Sequence, residues 1–243
     1  MFIYKSLVAS LTAMVSFFSY NACIAQTVTA PPRPKNAIIL FSGKQEEIAN
    51  NWTKRNPNEA AGWKITGKEN AMMMSGGDIA TKEKYTDFQL HLEFKVPYKP
   101  DAHGQERGNS GVFLQGRYEI QVLDSYDAKE PGTGDCGAVY NQHAPLVNAY
   151  KRPLEWQTYD ITYKAPRFDD TGKMTEKAHV NILLNGVCIQ NNQQIEGQTG
   201  GEMDRNFEKP GPILLQDHGN PVEYRNIWIL PLPLQGANHY EAK

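Results

Sequence analysis

Cysteine is scarce: three residues in 243, with no CxxC spacing, which excludes a disulfide-knotted small domain and a cysteine zinc site. A dominant charge is missing too. Against 27 Asp and Glu stand 25 Lys and Arg, for a net charge of −2 and no basic stripe, so nucleic acid is not an expected partner. Helical periodicity is nearly absent, with Gln45 to Trp52 the one short stretch that fits a helix. No GxSxG elbow, Walker loop, GxGxxG after a strand, or HExxH occurs, which removes the usual serine-hydrolase, NTPase, dinucleotide and local zinc readings. What is present is a hydrophobic fraction of 40%, sufficient for the core of one ordinary domain.

The chain divides by composition. Residues 1–25 read as an export signal: Lys5 supplies the positive start, Leu7 to Phe18 the apolar stretch, and Ala25 the cut, with small residues at Cys23 and Ala25. That places the mature protein outside the cytoplasm, periplasmic or secreted. Cys23 follows a loose lipobox, so a lipoprotein is the alternative. A Pro-rich linker occupies 26–36, a single domain 37–234 and a tail 235–243, with no transmembrane span expected in the mature chain. Cys136 and Cys188 would then be the remaining cysteines, either paired or packed singly.

Within the domain the dominant signal is period two. Phe88, Leu90, Leu92 and Phe94 alternate with polar residues, and the same holds for Tyr118, Ile120, Val122, for Tyr159, Ile161, Tyr163 and for Val180, Ile182, Leu184. Asn185-Gly186 after the last run signals a tight hairpin. Short apolar runs at Ile38–Phe41, Ile213–Leu215 and Ile227–Leu230 complete an all-β pattern, sandwich or barrel. The polar stretches Lys99–Arg107 and Asn191–Lys209 read as long loops, the kind that line sites on a β scaffold or serve only as solvated insertions.

Two constellations carry chemistry. On Tyr118–Asp124, Glu119 and Gln121 leave the strand on one face about 7 Å apart. Glu93 is placed similarly on its own strand, and if the strands meet, two carboxylates share a floor able to exchange protons or hold a metal. Leu215-Gln216-Asp217-His218-Gly219 delivers an amide, an acid and an imidazole before a turn. Glu119, Glu93 and His218 are therefore the candidate catalytic groups, and the same three the candidate ligands of a divalent metal ion. Asn109, Gln121, Gln216 and Asp124 are candidates for sugar hydroxyls, and Trp156 and Tyr140, with Trp63 and Tyr126, for stacking on a sugar ring.

Seven motifs in order carry a resemblance. Phe41-Ser42-Gly43-Lys44, Tyr85-Thr86-Asp87-Phe88, Asn109-Ser110-Gly111-Val112-Phe113-Leu114, Tyr118-Glu119-Ile120-Gln121-Val122-Leu123-Asp124, Gly137-Ala138-Val139-Tyr140, Leu184-Asn185-Gly186-Val187 and Leu215-Gln216-Asp217-His218-Gly219 resemble the 3-keto-disaccharide hydrolase domain. Glu155-Trp156-Gln157 and Arg225-Asn226-Ile227 extend the likeness. It implies a concanavalin A-like jelly roll of two antiparallel sheets, and action on glycosides oxidised at C3. Gln115 and Gln157 depart from the family's usual Arg and Asn, a difference expected to bear on substrate preference. That C3-ketone chemistry needs a base, an acid and a group to hold enolate charge, and the candidate roles are Glu119 as base or metal ligand, His218 as proton carrier or ligand, Glu93 as its carboxylate partner, and Asn109, Gln121 and Gln216 as donors to hydroxyl or oxyanion. A small carbohydrate is the implied partner. A lectin-like binding module is the competing reading. A laminarinase-type glycosidase is a third, weakened because its ExDxE strand reads here Glu119, Gln121, Leu123.

Overall fold

The computed structural model describes residues 32–67 and 69–234. The leader over 1–25 with Cys23, most of the 26–36 linker, and the tail over 235–243 lie outside the described residues. Fifteen strands are present among them. In chain order these are β1 Ile38–Phe41, β2 Trp52–Lys54, β3 Lys64–Thr66, β4 Ala71–Met73, β5 Ile79–Thr81, β6 Phe88–Lys95, β7 Ser110–Leu114 and β8 Tyr118–Val122. Then follow β9 Gln157–Lys164, β10 Arg167–Phe168, β11 Met174–Glu176, β12 His179–Leu184, β13 Val187–Gln194, β14 Leu214–Leu215 and β15 Glu223–Pro231. One short helix, α1 Gln45–Asn51, carries Glu47 back to Ser42 and Lys44 at its start. No helix among the described residues is long and apolar enough to cross a membrane.

The strands form the two antiparallel sheets of a sandwich. The larger has eight strands in the order β13-β12-β9-β6-β15-β4-β3, with β1 also on β15; the smaller has five, β2-β5-β14-β7-β8. A two-stranded ribbon, β10-β11, stands apart from both. The alternation read from the sequence becomes packing: Phe88, Leu90, Leu92 and Phe94 face Tyr118, Ile120 and Val122 across one continuous buried core. The polar residues between them face outward from the two sheets.

Three tyrosines of the large sheet cross this core and bond to the small one. Tyr159 donates to the Gln121 carbonyl at 2.6 Å, Tyr163 to Gln115 Oε1 at 2.9 Å, and Tyr224 meets the Ser110 hydroxyl at 2.8 Å. Each satisfies a polar group that burial would otherwise penalise, and together they tie β7 and β8 to the opposite sheet.

The expected tight hairpin is present, and a second of the same kind accompanies it. Asn185-Gly186 has both residues at positive φ, 53° and 82°, and joins β12 to β13. Gln115-Gly116 does the same between β7 and β8 with φ of 53° and 66°. A glutamine tolerates this conformation because its buried amide is held on both sides, donating to the Tyr85 carbonyl and accepting from Tyr163. Gln115 and Gln157 are thus framework residues: Gln157 is fully buried and bonds Lys151 N–H and Asn185. Neither lines the cavity described below, so the expectation that they bear on substrate preference has no direct contact to act through.

Two further expectations change. Asn191–Gln194 belongs to β13, since an edge strand needs only one apolar face and here Ile189 supplies it. Cys136 and Cys188 are both free, the first buried against the Tyr159 hydroxyl and the second exposed.

Gly211 packs against the tip of the β7–β8 hairpin, where a Cβ would fall 2.3 Å from the Gln115 carbonyl oxygen. Backbone cannot yield as a side chain can. Gly211→Ala is therefore expected to cost about 1–3 kcal/mol of stability, read as a lower urea midpoint; an unchanged midpoint contradicts the packing described.

Candidate functional site

The outer face of the small sheet has two halves. Ala80, Phe113 and Leu214 form a second, smaller apolar cluster with Met203 over it. The other half is polar. Glu119 and Gln121 project from β8, and Gln216 follows β14, its N–H donating to the Gly111 carbonyl at 2.9 Å. Above them lies a cavity of about 270 Å³, near the lower end of small-molecule pockets, roughly 300–1,000 Å³.

Its floor and rim come from separate parts of the chain. Gln105 and Asn109 enter from the loop before β7, Tyr140 and Asn141 from the one after β8, Thr199 to Gly201 from the long loop after β13, and His218 from the turn after β14. The backbone of Glu119 is clamped between two of these: its N–H donates to the Thr199 hydroxyl at 2.8 Å, and its carbonyl accepts from Tyr140 N–H at 3.1 Å.

Glu119 is 5% exposed, and its carboxyl has no hydrogen-bond or ion-pair partner among the described residues. Burial, with the Asp78 charge nearby, pushes it up to about 8. Asp78 cannot relieve this because its own oxygens are engaged, one with Arg55 Nε at 2.6 Å and one with the Asp217 N–H at 2.8 Å. Space for the carboxyl comes from Gly111 on the neighbouring strand: a Cβ there would stand 2.4 Å from Glu119 Oε1. Gly111 thus forms the cradle in which the carboxyl sits.

His218 is exposed at the rim, on a turn braced by Asp217, whose carboxylate accepts from Gly77 N–H at 2.9 Å and Gly219 N–H at 3.0 Å. Glu119 is the one carboxylate and His218 the one imidazole among the described residues lining this cavity.

The structure gathers Glu119, His218, Asn109, Gln121, Gln216 and Tyr140 around one cavity. It does not bring Glu93 there. Glu93 lies on β6 of the other sheet and faces outward, so two sheets about 10 Å apart separate it from Glu119. There it accepts from Arg225 at 2.6 Å and Asn226 at 2.8 Å. Burial opposes its charge, but bonds from His91, Asn226 and Arg225 prevail and hold it near 2. His91 beside it is 1% exposed; burial disfavours its charge, yet Asp160 at 2.7 Å and Glu93 raise it to about 9. This is a structural ion cluster on the far face.

Trp156 belongs to the same far face, with Arg225 at 4.0 Å and Lys95 at 4.7 Å over its ring. Asp124 is buried and held by Arg107 at 2.8 Å, outside the cavity lining. Trp63 is core, stacked on Tyr224, while Tyr126 is an exposed residue beside Arg152. The metal set of Glu119, Glu93 and His218 is likewise not assembled, and no three His, Cys, Asp or Glu side chains converge among the described residues. The donors present among the described residues do not fit a resident divalent ion.

Gln105, Thr199, Gly200 and Gly201 come from the two polar loops that the sequence offers as site-lining or merely solvated, and the cavity decides for lining; which residues of those loops take part, and Asn141 outside them, carried no periodic signal. Gly200-Gly201, both at positive φ, was the available signal for a tight rim.

Comparison with known proteins bears on the family and the fold. The model of the 3-keto-alpha-glucoside-1,2-lyase-like domain matches residues 36–230. Among solved structures, one from Parabacteroides distasonis described as a candidate glycosyl hydrolase is 40% identical, with TM-score 0.71 over 82% of this chain and 84% of its own. Two more from that organism, similarly described, share the fold at 21% and 23% identity, with TM-scores of 0.58 and 0.54. Each covers 81% of this chain, and the match takes in 94% and 99% of theirs. Comparison with curated proteins gives no match.

Two outcomes check the site. A carboxyl raised from 4.5 to about 8 keeps its proton in the folded state while the unfolded chain releases it, so stability falls as pH rises through that window. Glu119→Gln removes this loss: the variant is expected to match the wild type near pH 4 and exceed it at pH 9 by up to ~5 kcal/mol in denaturant titrations. A pH-independent difference contradicts the assignment. Gly111→Ala must push the carboxyl out of its cradle, so cooperative unfolding is retained while that pH dependence shrinks.

Proposed function

The chain belongs to the 3-keto-alpha-glucoside-1,2-lyase-like domain family, and we propose on that premise that it cleaves glycosides bearing a ketone at C3 of the sugar. A carbohydrate-related role is supported by the family and by the 40%-identical relative described as a candidate glycosyl hydrolase. The observation that carries the finer reading is Glu119: a buried carboxyl, unpaired, in the floor of a cavity otherwise lined by amides, hydroxyls and one imidazole.

The chemistry asks for little else. A C3 ketone acidifies the C2 hydrogen, so Glu119 in its ionised form takes that proton, and the C2–H electrons move to the C3 oxygen as an enolate. The enolate then reforms the ketone, expels the C1 oxygen substituent and leaves a C1–C2 double bond. His218 at the rim supplies the proton that the departing oxygen needs. Water adds its oxygen to C1 and a proton to C2, giving net hydrolysis. A base whose affinity for protons lies near the working pH is the efficient choice for such a step.

Donors for the enolate oxygen are more restricted than the residue list suggests. Asn109 and Gln121 spend their amide hydrogens inside the protein. Gln216, whose side-chain nitrogen makes no bond among the described residues, is left for that task together with the rim residues His218, Tyr140 and Asn141. Direct hydrolysis of an unoxidised glycoside needs two carboxyls flanking the bond; among the described residues the cavity presents one. The export signal proposed over residues 1–25 would put this chemistry outside the cytoplasm.

The purified protein is expected to cleave a 3-keto-disaccharide and leave the unoxidised parent intact, as followed by chromatography. Cleavage of the parent as well contradicts the reading, and turnover of neither favours a lectin-like module. Glu119→Gln is expected to lower turnover by on the order of 10²–10⁴ with folding retained. In the wild type kcat/KM should rise with pH and level off above about 8, as Glu119 ionises. A rate unaffected by Glu119→Gln rejects its role as base.

A further inference from the structure

Three amides beside Glu119 are locked in orientation by a chain that ends on a backbone carbonyl. Gln105 Nε2 donates to the Gly134 carbonyl at 2.8 Å. A carbonyl can only accept, so the Gln105 amide has one orientation, with Oε1 turned toward the cavity residues. Asn109 Nδ2 donates to the Gln105 carbonyl at 2.9 Å and to Gln105 Oε1 at 3.1 Å, which fixes the second amide and aims its Oδ1 at Gln121. Facing two oxygens, Gln121 has to present its NH₂, at 2.8 Å from Gln105 Oε1 and 3.5 Å from Asn109 Oδ1.

The consequence is that Gln121 Oε1 points the other way. It is buried with no partner among the described residues, on a side chain that is 1% exposed and lines the cavity. A buried amide oxygen left unpaired costs about 1–3 kcal/mol. A fold in which the amide could turn would avoid that cost; this one prevents the turn.

We propose that Gln121 is the specificity-determining acceptor of the site: its Oε1 takes the hydrogen of one free hydroxyl on the sugar ring held over Glu119. The substrate is then a neutral sugar with that hydroxyl unblocked. An O-alkylated or O-acylated sugar lacks the hydrogen. A uronate brings an anion to a floor that holds Glu119 and, behind it, Asp78. This inference rests on the reading of the site as a 3-keto-glycoside cleaving centre and narrows its substrate class. Gln216 Oε1 is also buried and unpaired, but nothing locks that amide, so it can turn to suit the ligand.

Fluorine tests this directly, since it replaces a hydroxyl in size and accepts weakly but cannot donate. The experiment measures kcat/KM on a 3-keto-glucoside and on its deoxyfluoro derivatives at each remaining hydroxyl, for wild type, Gln121→Met and Gln105→Met. In the wild type one position is expected to lose about tenfold to a hundredfold on fluorination. In Gln121→Met that ratio should fall to within about twofold, and the comparison between proteins cancels fluorine's intrinsic effect on reactivity. Gln105→Met frees Gln121 to turn over, so the ratio falls there too, whatever happens to the overall rate; a purely structural Gln105 would scale all substrates alike. Fluorine tolerated everywhere in the wild type, or a penalty that survives Gln121→Met, overturns the proposal. If the wild type cleaves no ketone, the same fluorinated series is read by calorimetric binding. A position-specific loss that disappears in Gln121→Met upholds the acceptor while the cleavage reading falls; equal affinities, or no sugar binding at all, overturn both.

Discussion

Gly111 stands opposite Gln121, and Phe113 opposite Glu119, across the β7–β8 pair. Were the pairing to slip by one residue, period two would send Glu119 and Gln121 into the core and Ile120 and Val122 onto the cavity floor. Everything at the site follows from the slip not occurring. The Gln115-Gly116 turn sets the count at one end, and the tyrosine hydroxyls of the other sheet hold Ser110, Gln115 and the Gln121 carbonyl from beneath. A carboxyl can then be buried without a cation because the framework, rather than a counter-charge, keeps it in place.

The same sheet face shows how a fold keeps a polar floor affordable. Phe113, Leu214 and Ala80 seal one half under Met203, and Arg117, buried between Asp204 and the Lys209 carbonyl, ties the covering loop down. Thr199 and Tyr140 then clamp the Glu119 backbone from both edges. The remaining half is left with a raised carboxyl and an oriented amide chain, which is an arrangement of proton transfer and hydroxyl recognition rather than of hydrophobic capture.

Much of this was legible in the residues. Alternation identified β6, β8, β9 and β12 and put Glu119 and Gln121 on a common face, because the strand period is a local property. Which sheet a strand joins is not local, and that is why Glu93 was wrongly paired with Glu119: both alternate outward, but from opposite sheets. Trp156 failed for the same reason, its ring being held by cations of the far face. Gln105 and Thr199 were legible only as members of two long polar loops, since a loop residue's role depends on where its ends are anchored. The three-residue strands β3, β4 and β5 are too short to show a period at all.

The central claim is that Glu119 keeps its proton at neutral pH inside the cavity. Infrared difference spectroscopy of wild type against Glu119→Gln, across a pH series, observes that proton through the carbonyl stretch of a neutral carboxyl. The account predicts a band that belongs to Glu119, persists through neutrality and disappears around pH 8. A Glu119 already ionised at pH 6 would contradict it.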